Sequence, residues 1–334
     1  MKNRKRNIQS SGLNGFGRFG LHLIKYWLER AEGCNFKIDY INDDTISLEK
    51  AYKIINNDQY VKFNNYEIIK SKNSLIFLKQ NGNKYNIEYT QNIKSKISWI
   101  GKPDIFLECS GKNPSKNDCL IYIKGNTKTV IISQTSWDAD EILIYGYNHH
   151  IFNPEKHKVI SYGSCTLNSY IPLANYINQK YKILNSDVNF IHNVPEYKLR
   201  KSFTLERRLC SLEKAGPLLL NFLNLDNFKI NYTLVPYTGV SMFDFRFQVA
   251  KHIDKNKFIN DLSKIFAKGD FKYLYKLDVI DKGPEVYKGT SYSAIFIKNN
   301  IQVLKNNIYL HGYFDNENSV NRYFDITNYL CRFH

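Results

Sequence analysis

The sequence predicts an α/β chain. A doubly wound layer of parallel strands and helices fills the first half, and an α+β half with a mixed or antiparallel sheet follows. Three observations predict it. Gly15, Gly17 and Gly20 interrupt the chain just ahead of an apolar pattern of helical period. Two short apolar runs, Asp104–Cys109 and Thr129–Ser133, are of the kind found in buried parallel strands. Beyond Cys165 the runs change to apolar–polar alternation, the period of a half-exposed sheet.

The elements follow in order. Gln9-Ser10-Ser11-Gly12 leads into the glycines and is polar for a central strand. Leu21, Leu23, Ile24, Trp27 and Leu28 recur at helical spacing. Phe36, Ile38, Tyr40 and Ile41 read as a strand ending at Asn42-Asp43-Asp44. Turn, helix and strand in this order open a βαβ unit. Residues 61–90 read as short strands and turns. A helix over Lys116–Lys124 supplies a crossover, and Ile142–Tyr145 supplies one more strand. After Cys165 a helix turns Ile171, Leu173, Ala174 and Ile177 inward. Strands follow at Val188–Ile191, Phe228–Val235, Val240–Val249, Ala294–Ile297 and Ile308–Tyr313, with helices at Asn256–Ala267 and Ser319–Leu330. Residues 1–164 and 315–334 are expected to form one domain, and residues 165–314 the other.

Composition bounds the function. A length of 334 residues suits two domains of roughly 150 each. No apolar run reaches the ~18 residues of a membrane span. Residues 7–12 are polar where a secretory signal needs an apolar stretch. The basic residues Lys2, Arg4, Lys5 and Arg6 read as a solvated arm. The six cysteines, Cys34, Cys109, Cys119, Cys165, Cys210 and Cys331, form no CxxC pair or ligand-spaced cluster, so no metal site is expected. Scattered thiols suit a reducing cytoplasm. The net charge of +16 is spread along the chain without a basic stripe, so nucleic acid is not an expected partner.

Asn14-Gly15-Phe16-Gly17-Arg18-Phe19-Gly20 contains GxGxxG. Gly15 permits a tight turn, Gly17 lets backbone approach a pyrophosphate, and Gly20 lets helix pack on strand. The helix N-terminus then faces the phosphates. Asp43 follows at about twenty residues, where a carboxylate accepts bonds from an adenosine ribose. These are the parts of a Rossmann-type dinucleotide site. Asp43 and Asp44 would repel a 2′-phosphate, which favours NAD over NADP.

Ser164-Cys165-Thr166-Leu167-Asn168 stands just ahead of the predicted helix. A thiol at a helix N-terminus feels the macrodipole, which favours thiolate. A nucleophile also needs a base. His192, at the end of the strand Val188–Ile191, is a candidate, although spacing alone leaves their proximity open.

With these motifs in register, the chain resembles the phosphorylating glyceraldehyde-3-phosphate dehydrogenases over nearly its whole length. Residues 14–20 are similar to the family's NGFGRIG. Ile41-Asn42-Asp43 is similar to its IND, and Gly146-Tyr147-Asn148-His149 to its GVNH. Residues 164–168 are similar to its SCTTN, and Asp315-Asn316-Glu317 to its YDNE. The resemblance implies a thiolate attack by Cys165 on an aldehyde, with His192 taking the proton. It implies hydride transfer to NAD, a thioester, and release by inorganic phosphate as an acyl phosphate. It further implies that residues 14–20, Asp43, Ser110, Ser133 and Asn316 bind the cofactor. Ser164 and Thr166 would bind substrate, and the active form would be a cytoplasmic homo-oligomer.

Several positions depart from the family. Pro195 and Tyr197 fall where threonines follow the histidine. Leu234, in Thr233-Leu234-Val235-Pro236, falls on an arginine that binds phosphate. Glu213-Lys214-Ala215-Gly216 falls on a threonine pair, and the segment between His192 and the next helix is shorter. Leucine offers no donor to phosphate. A shifted register would let Arg200, Arg207 or Arg208 serve instead. Three readings remain open: the glycolytic reaction, oxidation of another aldehyde with hydrolysis of the thioester, and a non-catalytic binding descendant.

Overall fold

A computed structural model describes residues 8–201, 204–237 and 239–334. The arm bearing Lys2, Arg4, Lys5 and Arg6 lies outside the described residues. The chain divides into two compact units. The first runs to Leu143 and adds His149–Gly163 and Tyr323–His334. The second comprises Ile144–Asn148 and Ser164–Arg322.

The first unit opens with β1 (Gln9–Asn14), α1 (Arg18–Arg30), β2 (Phe36–Asn42) and α2 (Leu48–Asn57). A meander follows: β3 (Tyr66–Lys70), β4 (Ser74–Lys79) and β5 (Lys84–Thr90). Then come β6 (Ile105–Glu108), α3 (Lys116–Cys119), β7 (Thr129–Ile132), β8 (Glu141–Ile142) and β9 (Val159–Ser161). The sheet order is β3-β4-β5-β2-β1-β6-β7-β9-β8, parallel from β5 onward and antiparallel at the β3–β4–β5 edge. This is a doubly wound sheet with order reversal at β1, where the chain crosses from one side of the sheet to the other.

The polar strand β1 does lie at the centre of this sheet, and its polarity is accommodated. Ser11 Oγ donates to Lys37 O at 2.8 Å, and Ser10 N donates to Asp104 Oδ2 at 2.8 Å. Gly12 leaves room for an indole: a Cβ there would lie 2.3 Å from Trp99 Cζ3. Trp99 closes a cluster with Phe106, Tyr122, Val130 and Val159.

Two elements differ from expectation. The helix expected over Lys116–Lys124 is one α turn, α3, followed by a 3₁₀ turn at Leu120–Tyr122. Tightening the chain there drops the Tyr122 ring flat onto Phe106, 3.7 Å between centroids. The strand expected at Ile142–Tyr145 is the two-residue β8, because Ile144 starts a turn whose amide donates to Asn148 Oδ1. The parallel partner beside β7 is instead Val159–Ser161.

The second unit continues with α4 (Cys165–Tyr181), β10 (Ile183–Asn193), β11 (Glu206–Arg207), α5 (Ser211–Leu219), β12 (Phe228–Val235), β13 (Ser241–Val249) and α6 (Lys255–Phe266). It ends with α7 (Phe271–Leu274), β14 (Tyr275–Asp278), β15 (Ala294–Ile297), β16 (Gln302–Leu304), β17 (Asn307–Phe314) and α8 (Asn316–Leu330), whose later turns count with the first unit. The sheet order is β11-β12-β10-β13-β17-β15-β14, with β16 on β17. It is mixed: β10–β12 and β14–β15 are parallel, and β10–β13–β17 are antiparallel. Alternation turns Ser186, Val188, Phe190 and His192 to the buried face. Tyr170 of α4 packs on that face against Phe228, Phe245 and Phe247.

Among the described residues, no helix is long and apolar enough to cross a membrane, and no group of three His, Cys, Asp or Glu side chains is arranged for a metal.

Candidate functional site

The glycine turn of the first unit joins β1 to α1. Gly15 has φ of +102°, and a Cβ on it would lie 2.4 Å from Ser110 N, so only glycine fits against the end of β6. A Cβ on Gly20 would lie 2.2 Å from Gly15 O. Gly17 differs: a Cβ there meets nothing within 4 Å, and it contributes no side-chain cap to α1. The start of α1 is therefore open on the Gly17 side, where a helix N-terminus can face an anion.

A ladder of side-chain hydrogen bonds holds this turn. Glu108 accepts from Asn14 Nδ2 at 2.8 Å, Asn113 Nδ2 at 3.1 Å and Ser110 N at 2.9 Å. Asn14 Oδ1 accepts in turn from Asn42 Nδ2 at 2.9 Å. Burial pushes the Glu108 carboxyl up, against these donors. Glu108 is a residue that sequence reasoning missed, although its place at the end of an apolar strand beside a central glycine turn was a usable signal. Ser133 is tied to the same strand end, its amide donating to Glu108 O at 2.9 Å.

Asp43 lies beside the turn. Its Oδ2 accepts from Phe16 N at 2.7 Å, and its Oδ1 accepts from Thr45 N, Thr45 Oγ1 and Ile46 N. Burial acts to raise this carboxyl, but the donors outweigh it and hold it below the usual range. Oδ2 keeps room for one further donor. Arg18 turns outward to pair with Asp58, and Phe19 packs edge-on to Tyr162 and Tyr323. These two support the turn's surroundings.

In the second unit Cys165 begins α4, and its Sγ lies 3.6 Å from His192 Nε2. Helix followed by strand thus brings together the two residues whose proximity spacing left open. His192 Nδ1 lies 2.8 Å from Asn193 O, a carbonyl that can only accept. Nδ1 therefore carries the proton, and Nε2 faces the thiol as a base. The imidazole stands between the rings of Tyr232 and Phe314, each 5.5 Å away. Burial pushes its pKa down to about 4, against the hydrogen bond it donates to Asn193 O and the favourable influence of the Asn316 side chain. Burial likewise pushes the Cys165 thiol up. Both shifts act in the direction of a neutral thiol beside a neutral imidazole, against the thiolate that the macrodipole alone would favour.

Ser164, the cap of α4, accepts from Leu167 N and lies 3.0 Å from Thr166 Oγ1 and 2.9 Å from Ser211 Oγ. Ser211 begins α5, so two helix N-termini converge beside the thiol. The third hydroxyl therefore comes from Ser211, and Glu213-Lys214-Ala215-Gly216 lies inside α5. Glu213 accepts from Cys210 N at 3.0 Å, the return bond of a capping box. That spacing, Cys210 to Glu213, is a helix-start signal that sequence reasoning missed.

Leu234 is buried and stands opposite His192 in the β10–β12 pairing, on the same face. Arg200 and Arg208 both pair with Glu206, and Arg207 donates to Asn231 Oδ1 at 3.1 Å. Tyr197 is 82 % exposed.

No family model matches the chain. Curated relatives do. A glyceraldehyde-3-phosphate dehydrogenase 2 of Nostoc sp. is 25 % identical over 327 residues, covering 91 % of this chain and 93 % of the relative. A cytosolic glyceraldehyde-3-phosphate dehydrogenase of Dianthus caryophyllus is 27 % identical over 324 residues, with 92 % and 93 % covered. A glyceraldehyde-3-phosphate dehydrogenase 1 of Giardia intestinalis reaches 33 % over 190 residues, 56 % of this chain and 54 % of the relative. The chain is thus similar to glyceraldehyde-3-phosphate dehydrogenases over nine-tenths of both lengths, at the low identity of a diverged relative, and its two-sheet architecture is consistent with that likeness.

Proposed function

We propose that the chain is an NAD-dependent dehydrogenase that oxidises an aldehyde through a covalent adduct on Cys165. The observation that carries this reading is the Cys165–His192 pair, 3.6 Å apart with the base nitrogen facing the thiol.

The first unit fits NAD. The turn is closed by Gly15 and open at Gly17, and Asp43 retains an acceptor for a ribose hydroxyl. When bound, NAD supplies the hydride acceptor. Residues 14–20, Ser110 and Ser133 hold its phosphates and adenosine half in this reading, and Asn316 meets the carboxamide.

His192 Nε2 takes the Cys165 proton as sulfur attacks the carbonyl carbon, giving a thiohemiacetal. The resulting imidazolium and the amides at the start of α4 stabilise the oxyanion. Loss of hydride leaves a thioester on Cys165. In this reading Ser164, Thr166 and Ser211, whose hydroxyls cluster at two helix N-termini, receive an oxyanion such as phosphate, which attacks the thioester and releases the product as an acyl phosphate with return of the Cys165 thiol. A second reading, an aldehyde other than glyceraldehyde 3-phosphate, is favoured by one observation: buried Leu234 beside His192 offers no donor to a terminal phosphate. A homo-oligomer remains the expected assembly, and Leu205, Leu209 and Leu225 leave apolar surface on the second unit for it.

The test is NADH formation from a panel of phosphorylated and free aldehydes, with and without phosphate. Cys165→Ser is expected to abolish turnover on every active aldehyde. Turnover that survives the substitution would overturn the covalent mechanism.

A further inference from the structure

The cofactor reading leaves one charged contact unexplained. Lys112 Nζ binds both carboxylate oxygens of Asp44, at 2.7 and 2.6 Å. Asp44 lies just past the end of β2, next to Asp43. Lys112 lies just past the end of β6, its amide donating to Ser110 Oγ at 3.1 Å. In the sheet, β2 and β6 are the two neighbours of β1, and all three run parallel. Their ends are therefore two strand spacings apart, roughly 10 Å. The ion pair spans that gap over the end of β1, where the glycine turn begins. It crosses the crevice that a dinucleotide would enter.

The charges here differ from those the sequence implies. Asp43 and Asp44 read as a doubly negative ribose site that repels a 2′-phosphate. In the structure Asp43 stays ionised under four neutral donors, but Asp44 is neutralised by a lysine from across the crevice, which leaves one negative charge there in place of two. The Lys112 and Asp44 side chains are 56 % and 33 % exposed, so the pair is weak and can exchange partners cheaply. A cation beside the ribose carboxylate is the feature that accommodates a 2′-phosphate in dinucleotide sites.

Resting on the cofactor reading above, we infer that Lys112 is the specificity-determining residue at the adenosine 2′ position. It exchanges Asp44 for a 2′-phosphate, and the crevice thereby accepts NADP as well as NAD.

The experiment is calorimetric titration of the whole protein with 5′-AMP and with 2′,5′-ADP, which differ only in the 2′-phosphate. NAD and NADP follow. The 2′,5′-ADP Kd is expected within tenfold of that for 5′-AMP. Lys112→Ala should weaken 2′,5′-ADP at least fivefold more than 5′-AMP, and Asp44→Asn, which frees Lys112, should tighten 2′,5′-ADP. A Lys112→Ala protein that shifts both nucleotides by the same factor overturns the inference. So does a wild type that binds 5′-AMP and not 2′,5′-ADP. If neither 5′-AMP nor NAD binds, the cofactor reading itself falls, an outcome distinct from NAD binding without selectivity at the 2′ position.

Discussion

At Cys165 two effects act on one sulfur. The helix macrodipole favours thiolate by about 0.3–1 kcal/mol at a helix end. One pKa unit corresponds to about 1.4 kcal/mol, so the dipole moves a thiol by less than one unit. Burial acts the other way and is the larger effect, raising the thiol and lowering the imidazole that faces it. Alkylation of Cys165 by iodoacetamide is therefore expected to keep rising as pH passes 9, because deprotonation lies above the ordinary thiol range. Rates read by peptide mass spectrometry that level off below pH 8 would show that the dipole prevails. The residues of this site were legible as motifs, but their state was not. Motif spacing carries no information on how deeply a pair is buried, and burial sets the charge.

At the scale of the element, α4 carries the nucleophile on a helix that contains a proline. Pro172 has no N–H for the carbonyl of Asn168. Tyr275, from the start of β14, repairs the gap. Its hydroxyl donates to Asn168 O at 3.5 Å and accepts from Leu173 N at 3.1 Å. Tyr275→Phe is expected to cost about 1–3 kcal/mol, the price of leaving buried backbone groups unsatisfied, measured by urea unfolding. An unchanged midpoint would show that the hydroxyl carries no stability. No sequence pattern could reveal this, since the partners are about a hundred residues apart. The helix itself was legible, because Ile171, Leu173, Ala174 and Ile177 recur at its period and are all buried. Residues 116–124 misled for the opposite reason. Their local pattern suits a helix, but the chain tightens into a 3₁₀ turn there and Tyr122 stacks on Phe106, a long-range contact the local pattern does not encode. The start of α5 was missed because cysteine, not serine, occupies the cap.

For the whole molecule, each unit carries its own sheet and core; in the proposed function the first holds the cofactor and the second the nucleophile. The doubly wound sheet was legible from short apolar runs and one glycine turn. The mixed sheet was legible as alternation, but its strand order was not, since β12 pairs in parallel with β10 across a long excursion. NAD bound at the glycine turn should slow amide exchange over residues 9–20, 42–46 and 108–113. At a hundredfold excess over Kd it should stabilise the native state by about 2.7 kcal/mol. Hydrogen exchange with mass spectrometry reads the first effect and calorimetry the second. Protection confined to other segments would move the cofactor away from the turn.

Gly12 and Trp99 make substitution at either position conditional on the other. The indole occupies the volume that a side chain on the central strand would claim. A β-branched residue at position 12, which β-propensity would welcome, is barred while the tryptophan stays. A smaller residue at position 99 opens a void while the glycine stays. Change at this strand therefore proceeds by paired replacement, and a double-mutant cycle on the two positions would register strong coupling. The aromatic ring from a neighbouring loop thereby fixes which side chains the central strand can carry at this position.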